Sequence, residues 1–266
     1  MSVIAHLTDP HLLEPDGLRA SGVGARVRRR YLNALRSIDA PARFDAFVGV
    51  LRRAAALGYD HLVITGDLTE EGTRPQFEAV AEAFDAAGVD PARVSLVPGN
   101  HDVYEDAGAF AWALRGPLRA FAATSAPGAV VALPDAVVVP YSTARAQRWW
   151  RSAGELSEAV RESLAATARR AAGLGVAAIL VQHHPPMRVQ SVAMHWLDGL
   201  LDHAALRPLL GGFPHLAVLH GHLHEHRDRA FEAGALPQVF GAPAVLDDAV
   251  TVRRYAVEGT ALVPLP

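Results

Sequence analysis

Short apolar runs alternate with amphipathic stretches through the first part of the chain. Residues 3–7 form a brief apolar run and read as a buried strand. Phe44, Phe47, Val48 and Leu51 share a stripe at helical spacing. They predict a helix over residues 44–56, with Pro41 and Asp45 near its start and Gly58 at its stop. Residues 62–64 read as a second strand. Phe77, Val80, Ala81 and Phe84 then repeat on one helical face, with Thr73 placed to cap it and Gly88 to end it. Pro75 falls in the first turn, where its missing N–H costs nothing. Residues 94–97 read as a third strand. Strands alternating with helices predict a parallel sheet with helices packed on it.

The pattern continues with a helical stretch at 109–123, then paired strands at 129–133 and 136–139 joined at Pro134-Asp135. Ser157 is placed to cap a helix running to Ala172, with Val160, Leu164, Ala168 and Ala171 on its apolar face. Residues 177–181 read as a strand, 203–210 as a short helix and 216–219 as a strand. The tail from 236 alternates apolar runs with turns, so strands 129–139 and 236–265 are expected to build a second sheet beside the first. No repeat or interior linker interrupts the pattern, which predicts one α/β domain over residues 1–266.

Composition narrows the chemistry. Half the chain is apolar, enough for a substantial core. A net charge of -3 argues against a general nucleic-acid binder. There is no cysteine, hence no disulfide, thiolate nucleophile or Cys-based zinc site. There is no lysine either, which excludes Schiff-base chemistry and a P-loop. No signal-peptide pattern opens the sequence and no apolar run reaches transmembrane length, so the expectation is a soluble cytoplasmic protein.

Polar residues of one chemical kind follow the predicted strands. Asp9 and His11 follow the first, Asp67 the second, Asn100 the third, His183 the strand at 177–181, and His220 with His222 the strand at 216–219. In parallel α/β sheets, sites lie outside the C-terminal strand ends. On extended backbone, Asp9 and His11 would face one way, as would His220 and His222. Asp67 reads as one carboxylate shared by two cations, a pair that can grip a phosphate and activate water between them. Alone, Asp9-x-His11 could equally be a turn aspartate and a surface histidine.

Two further segments stay open on sequence alone. Residues 14–43 carry Arg19, Arg26, Arg28, Arg29, Arg30, Arg36 and Arg43, either a solvated helix face or a basic lid or docking patch for an anionic surface. Residues 187–197 are rich in large apolar side chains, which could pack in a core, contact another subunit, or form a wall against substrate.

Taken together, Asp9-x-His11, Gly66-Asp67, Gly99-Asn100-His101-Asp102, His183-His184-Pro185-Pro186 and Gly221-His222 resemble the motif series of the calcineurin-like metallophosphoesterase superfamily, in its order, across residues 9–222. The set looks most like the class III cyclic nucleotide phosphodiesterase branch. The resemblance implies a two-sheet sandwich flanked by helices and two metal ions, and the carboxylate, imidazole and amide donors, without thiolate, suit Mn, Fe, Zn or Co. It implies Asp9, His11 and His222 on one ion, Asn100, His183 and His220 on the other, and Asp67 bridging. His101 would lie near the phosphate and serve the leaving group or the transition-state charge, with Asp102 orienting it. His184 and His224 are adjacent, secondary candidates.

The resulting expectation is a metal-dependent phosphodiesterase for a small-molecule substrate, with a 3′,5′-cyclic nucleotide the leading candidate. A phosphodiesterase or pyrophosphatase for lipid-linked or nucleotide-sugar substrates is the alternative, supported by the arginines and the apolar loop, with peripheral membrane contact. A metal-binding scaffold without catalysis, and self-association into a homo-oligomer, are further possibilities.

Overall fold

A computed structural model describes residues 1–14, 39–104, 106–148, 150–188, 191–230, 237–247 and 251–266. The expectations for the arginine-rich stretch fall largely on residues 15–38, outside the described residues. Two sheets face each other, with helices on both outer sides. The first sheet orders its strands β11-β10-β1-β2-β3 and the second β4-β5-β6-β7-β9-β8. In the first, β1 (Val3–Leu7), β2 (His61–Ile64) and β3 (Val94–Leu96) are parallel. Two tail strands, β10 (Arg253–Glu258) and β11 (Ala261–Leu265), extend that sheet antiparallel beyond β1. The second holds β4 (Val131–Ala132), β5 (Ala136–Pro140), β6 (Ala177–Val181), β7 (Leu216–His220), β8 (Arg227–Ala230) and β9 (Pro237–Gly241).

The tail is therefore divided, contrary to the expectation that it joins one sheet. Only β9 pairs with β7. Tyr255 and Val257 of β10 instead pack between the sheets with Ile4 and Val63. The edge strand β8 carries charged residues without an apolar run, so no periodicity announces it.

Side-chain alternation assigns each strand residue to a layer. Ala5, Leu7, Leu62 and Ile64 face the helices of the first sheet, α1 (Ala40–Leu57), α2 (Arg74–Ala87) and α3 (Ala109–Arg115). Ile4 and Val63 face the second sheet across the inner layer. Ile179 and Val181 of β6 point into that inner layer, whereas Ala178 and Leu180 meet α4 (Glu158–Leu174) on the far side. Both faces of these central strands are thus buried, which is why they read as continuous apolar runs. Two short helices follow β6, α5 (Val192–Asp198) and α6 (Arg207–Gly212). No helix among the described residues is long and apolar enough to cross a membrane.

Most of these helix ends follow their sequence signals, but Thr73, placed to cap α2, makes no side-chain cap hydrogen bond. Asp39 caps α1 by accepting from Ala42 N–H at 3.0 Å, with Pro41 in the first turn. Ser157 caps α4 through Val160 N–H at 3.2 Å. Gly88 ends α2 in the left-handed conformation that a side chain would disfavour.

Candidate metal centre

Loops at the C-terminal ends of β1, β2, β3, β6 and β7 converge on one buried cluster. Tight left-handed turns give it its shape: φ is 54° at Asp9, 47° at His11, 48° at Asp67, 70° at His222 and 54° at His224. Positive φ is uncommon outside glycine, and several such residues in one cluster mark a site where geometry outweighs local strain. The extended backbone assumed for Asp9-x-His11 and His220-Gly-His222 is therefore not what forms. Gly99 and Gly221 are needed for close approach, because a Cβ on the first would collide with the Asp67 carboxylate and on the second with Thr8.

Asp67 lies at the centre. Its Oδ1 accepts the His101 backbone N–H at 2.8 Å. Its Oδ2 faces both halves of the cluster, 3.7 Å from His11 Nε2 and 3.5 Å from His183 Nε2. The sharing expected of Asp67 would thus run through one oxygen, Oδ2, turned toward both.

On one side stand Asp9, His11 and His224, whose donor atoms lie within 4.8 Å of one another. Asp9 Oδ2 is held by the Thr8 hydroxyl at 2.5 Å and the His222 N–H at 3.1 Å, which leaves Oδ1 for the cluster. His224 Nε2 is 3.4 Å from that Oδ1. On the other side His183 Nε2 approaches Asn100 Oδ1 at 3.1 Å and His222 Nδ1 at 3.2 Å.

Three of these imidazoles, those of His183, His222 and His224, are each aimed by a partner on the other nitrogen, the arrangement that fixes a tautomer and a ligating direction. His183 Nδ1–H donates to Thr65 O at 2.7 Å. His222 Nε2–H donates to Asp198 O at 2.7 Å. His224 Nδ1 meets Asp247 Oδ2 at 2.6 Å.

Two expected placements are corrected. His220 joins none of the donor groups among the described residues. Its Nδ1 bonds the Gly221 carbonyl at 3.0 Å and its ring lies against Gly241. His222 sits with His183 rather than with Asp9 and His11, and His224 takes the place beside Asp9. Sequence spacing misled here because two left-handed positions on either side of Leu223, His222 and His224, turn the loop back on itself.

Asp102 does not touch the His101 ring. Its Oδ1 accepts from Thr69 N–H at 2.9 Å and the Thr69 hydroxyl at 2.7 Å, and its Oδ2 from Leu68 N–H at 3.0 Å and Gly99 N–H at 2.9 Å. It ties the loop carrying Asp67 to the turn carrying Asn100. The His101 ring is set instead by Glu70, whose carbonyl accepts from Nδ1 at 2.8 Å, and by the Tyr104 hydroxyl at 2.9 Å. His184 spends Nδ1 on the Thr143 hydroxyl at 2.8 Å and Nε2 on Ser152 O at 2.7 Å.

Sequence reasoning missed Glu70, Asp198 and Asp247. Glu70 is buried and receives Arg43 Nη1 at 2.7 Å, with His11 Nδ1 3.5 Å away. Its signal was its place three residues after Asp67; Asp198 and Asp247 had none.

Electrostatics agree with a cation site. Burial alone would raise Asp67, but the surrounding histidines, His183 first, hold its carboxyl well below the ordinary range. Burial opposes charge on His183 and His224, yet Asp67 and Asp9 respectively outweigh it and raise both to about 9. Burial lowers His101 to about 4, keeping that ring neutral. Asp9 Oδ1 and both nitrogens of His11 are buried without a hydrogen-bond partner among the described residues. Buried polar atoms are rarely left so, and a carboxylate, imidazole and amide set without thiolate suits hard to borderline divalent ions. The residues present fit a metal pair.

Comparison with known proteins accords with this geometry. The calcineurin-like phosphoesterase family profile matches residues 2–226. No curated protein matches the chain by sequence. The fold is similar to a dimetal phosphatase from Danio rerio, with a TM-score of 0.69 at 12% identity, covering 99% of this chain and 98% of that one. It is also similar to a candidate 5′-nucleotidase from Staphylococcus aureus, solved with alpha-ketoglutarate, with a TM-score of 0.55 at 13% identity. That likeness covers 99% of this chain and 52% of the other, so the chain spans about half its length.

Proposed function

The chain belongs to the calcineurin-like phosphoesterase family, and from that premise we propose that it is a dinuclear-metal phosphodiesterase acting on a small anionic diester, with a 3′,5′-cyclic nucleotide as the leading substrate class. The observation that carries the reading is Asp67 Oδ2 turned toward two separate donor sets. Asp9, His11 and His224 would hold one ion and Asn100, His183 and His222 the other, with Asp67 common to both. When bound, such a pair neutralises phosphate charge and lowers the pKa of a water toward neutrality.

The chain's own groups supply the rest. Thr65 O, Asp198 and Asp247 orient the three imidazoles and keep their tautomers fixed. Asp102 holds the Asp67 and Asn100 loops in register. With the His101 Nδ1–H committed to Glu70 O, Nε2 of the neutral ring is an acceptor that the Tyr104 hydroxyl reaches at 2.9 Å, and it would have to take up a proton before passing one to the departing oxygen.

One observation favours a second reading. Val192, Met194 and Trp196 on α5 are exposed, contrary to core packing, and Trp150 lies 6.2 Å from Trp196 between ring centroids. The helix ends at Asp198, which holds His222. A lipid-linked diester would use this apolar wall, and turnover that rises on liposome-presented substrate would favour it.

The deciding experiment is turnover of bis-p-nitrophenyl phosphate, p-nitrophenyl phosphate and cyclic AMP with added Mn. Metal-dependent hydrolysis with preference for the diesters is expected. Bound metal with no turnover on any of them would leave a non-catalytic scaffold and overturn the proposal.

A further inference from the structure

A cavity of about 370 Å³ lies outside the residues that the hydrolytic reading uses. Its lining includes Pro186, Met187, Arg188, His203, Arg207 and Arg229, and no acidic residue among the described ones. Pro186 is two residues past His184, and the His203 turn follows closely on Asp198. The cavity thus draws on the loop after β6, which begins at His183, and on the turn that follows α5.

Three guanidinium-bearing side chains around one concavity repel one another, and such clusters ordinarily gain carboxylate partners. Among the described residues, neither Arg207 nor Arg229 has one. The polar contact of Arg229 is a donation from Nη1 to the Met187 thioether at 3.4 Å. Sulfur is a weak acceptor, so this leaves the cation poorly satisfied. His203 is held through Nδ1 alone, by Leu200 O at 3.1 Å and His195 Nε2 at 3.0 Å. Nε2 remains the atom of that ring with no partner among the described residues. The neighbouring Gly199 makes the arrangement possible, since a Cβ there would collide with the His195 ring.

A planar guanidinium matches the oxygens of a tetrahedral oxyanion and binds it through paired N–H donors. The volume falls within the range of small-ligand pockets. We infer that this basic cavity is a second anion site, separate from the metal centre, that takes a phosphate group. Its occupant is either a second phosphoryl group of the substrate or a free phosphate. The inference stands apart from the hydrolytic reading, because it needs only the arginines and the cavity.

Equilibrium dialysis of the metal-loaded full chain against labelled inorganic phosphate tests it, with Arg207→Gln/Arg229→Gln beside the wild type. The expected result is two phosphates per wild-type chain and one per double variant. One falling to zero would uphold the cavity while removing the metal centre as a phosphate site. No binding, or equal stoichiometry in both proteins, overturns the inference. An equal loss in Arg169→Gln/Arg170→Gln, exposed on α4 away from the cavity, overturns it too, since the effect would then be general charge. Arg229→Lys, which keeps the charge, guards against a folding artefact and should retain the second phosphate with weakened affinity. ADP separates the sources: one molecule releasing both phosphates assigns the cavity to the substrate, and one molecule per phosphate assigns it to a free anion.

Discussion

His224 Nδ1 lies 2.6 Å from Asp247 Oδ2, and this contact turns the opposite nitrogen, Nε2, toward Asp9 Oδ1 at 3.4 Å. A surface carboxylate thus aims a ring into a buried cluster, whereas His220, closer to the strand, is turned away. Metal analysis separates the two histidines. His224→Ala should lower metal content from two ions per chain to one, and His220→Ala should keep both. Asp247→Ala should weaken metal affinity by roughly 10–100-fold, the usual cost of losing the partner that orients a ligating imidazole. Metal loss with His220→Ala and none with His224→Ala would reverse the assignment.

His101 should separate turnover from metal content. Its ring is held by Glu70 O and Tyr104, and it groups with neither Asp9 and His224 nor His183 and His222. His101→Ala is expected to retain both ions while kcat for the diester falls by about 10²–10⁴-fold, the range for a proton-transfer group. Loss of metal together with poor folding would show a structural role instead.

Asp102 accepts four hydrogen bonds from Leu68, Thr69 and Gly99 while fully buried. Burial and the nearby Asp67 charge raise it to about 6, so its donors work against a real desolvation cost. Asp102→Ala would strand those donors. A loss of about 3 kcal/mol in urea denaturation is expected, given roughly 1–3 kcal/mol per stranded buried group and partial rescue by water. Unchanged stability would mean that the two loops hold their register without it.

His61 gives a pH signature away from the metal centre. It begins β2, is buried, and pairs with Ser95 Oγ at 2.8 Å. Burial, with Arg93 adding to it, lowers its pKa from 6.5 to about 4. The unfolded ring takes up its proton near the ordinary value and the folded ring only near the lowered one. The neutral ring's contribution is therefore complete above that ordinary value and is lost as pH falls toward the lowered one. Relative to His61→Gln, the wild type should lose about 2 kcal/mol more stability between about pH 8 and about pH 5. Parallel pH profiles for the two proteins would contradict this.

Much of the fold was legible because strand residues alternate between two apolar layers, so Val3–Leu7 and Ala177–Val181 read as strands without tertiary information. The donor residues were visible because they follow those runs directly. The division of the tail was not, since the pairing of Val3 with Ala256 joins residues from opposite ends of the chain and no local pattern encodes it. Nor was the exchange of His220 for His224, which depends on left-handed turns at residues for which sequence assigns extended backbone. Asp198 and Asp247 act across long sequence separations, and only the folded loops bring them to His222 and His224.

The shared carboxylate is the claim on which the metal centre depends. Metal content and diester turnover, measured side by side in wild type and Asp67→Asn, test it most directly. The account predicts two ions per wild-type chain, one or none in the variant, and hydrolysis reduced to background. An Asp67→Asn protein that keeps both ions and its full rate would contradict it.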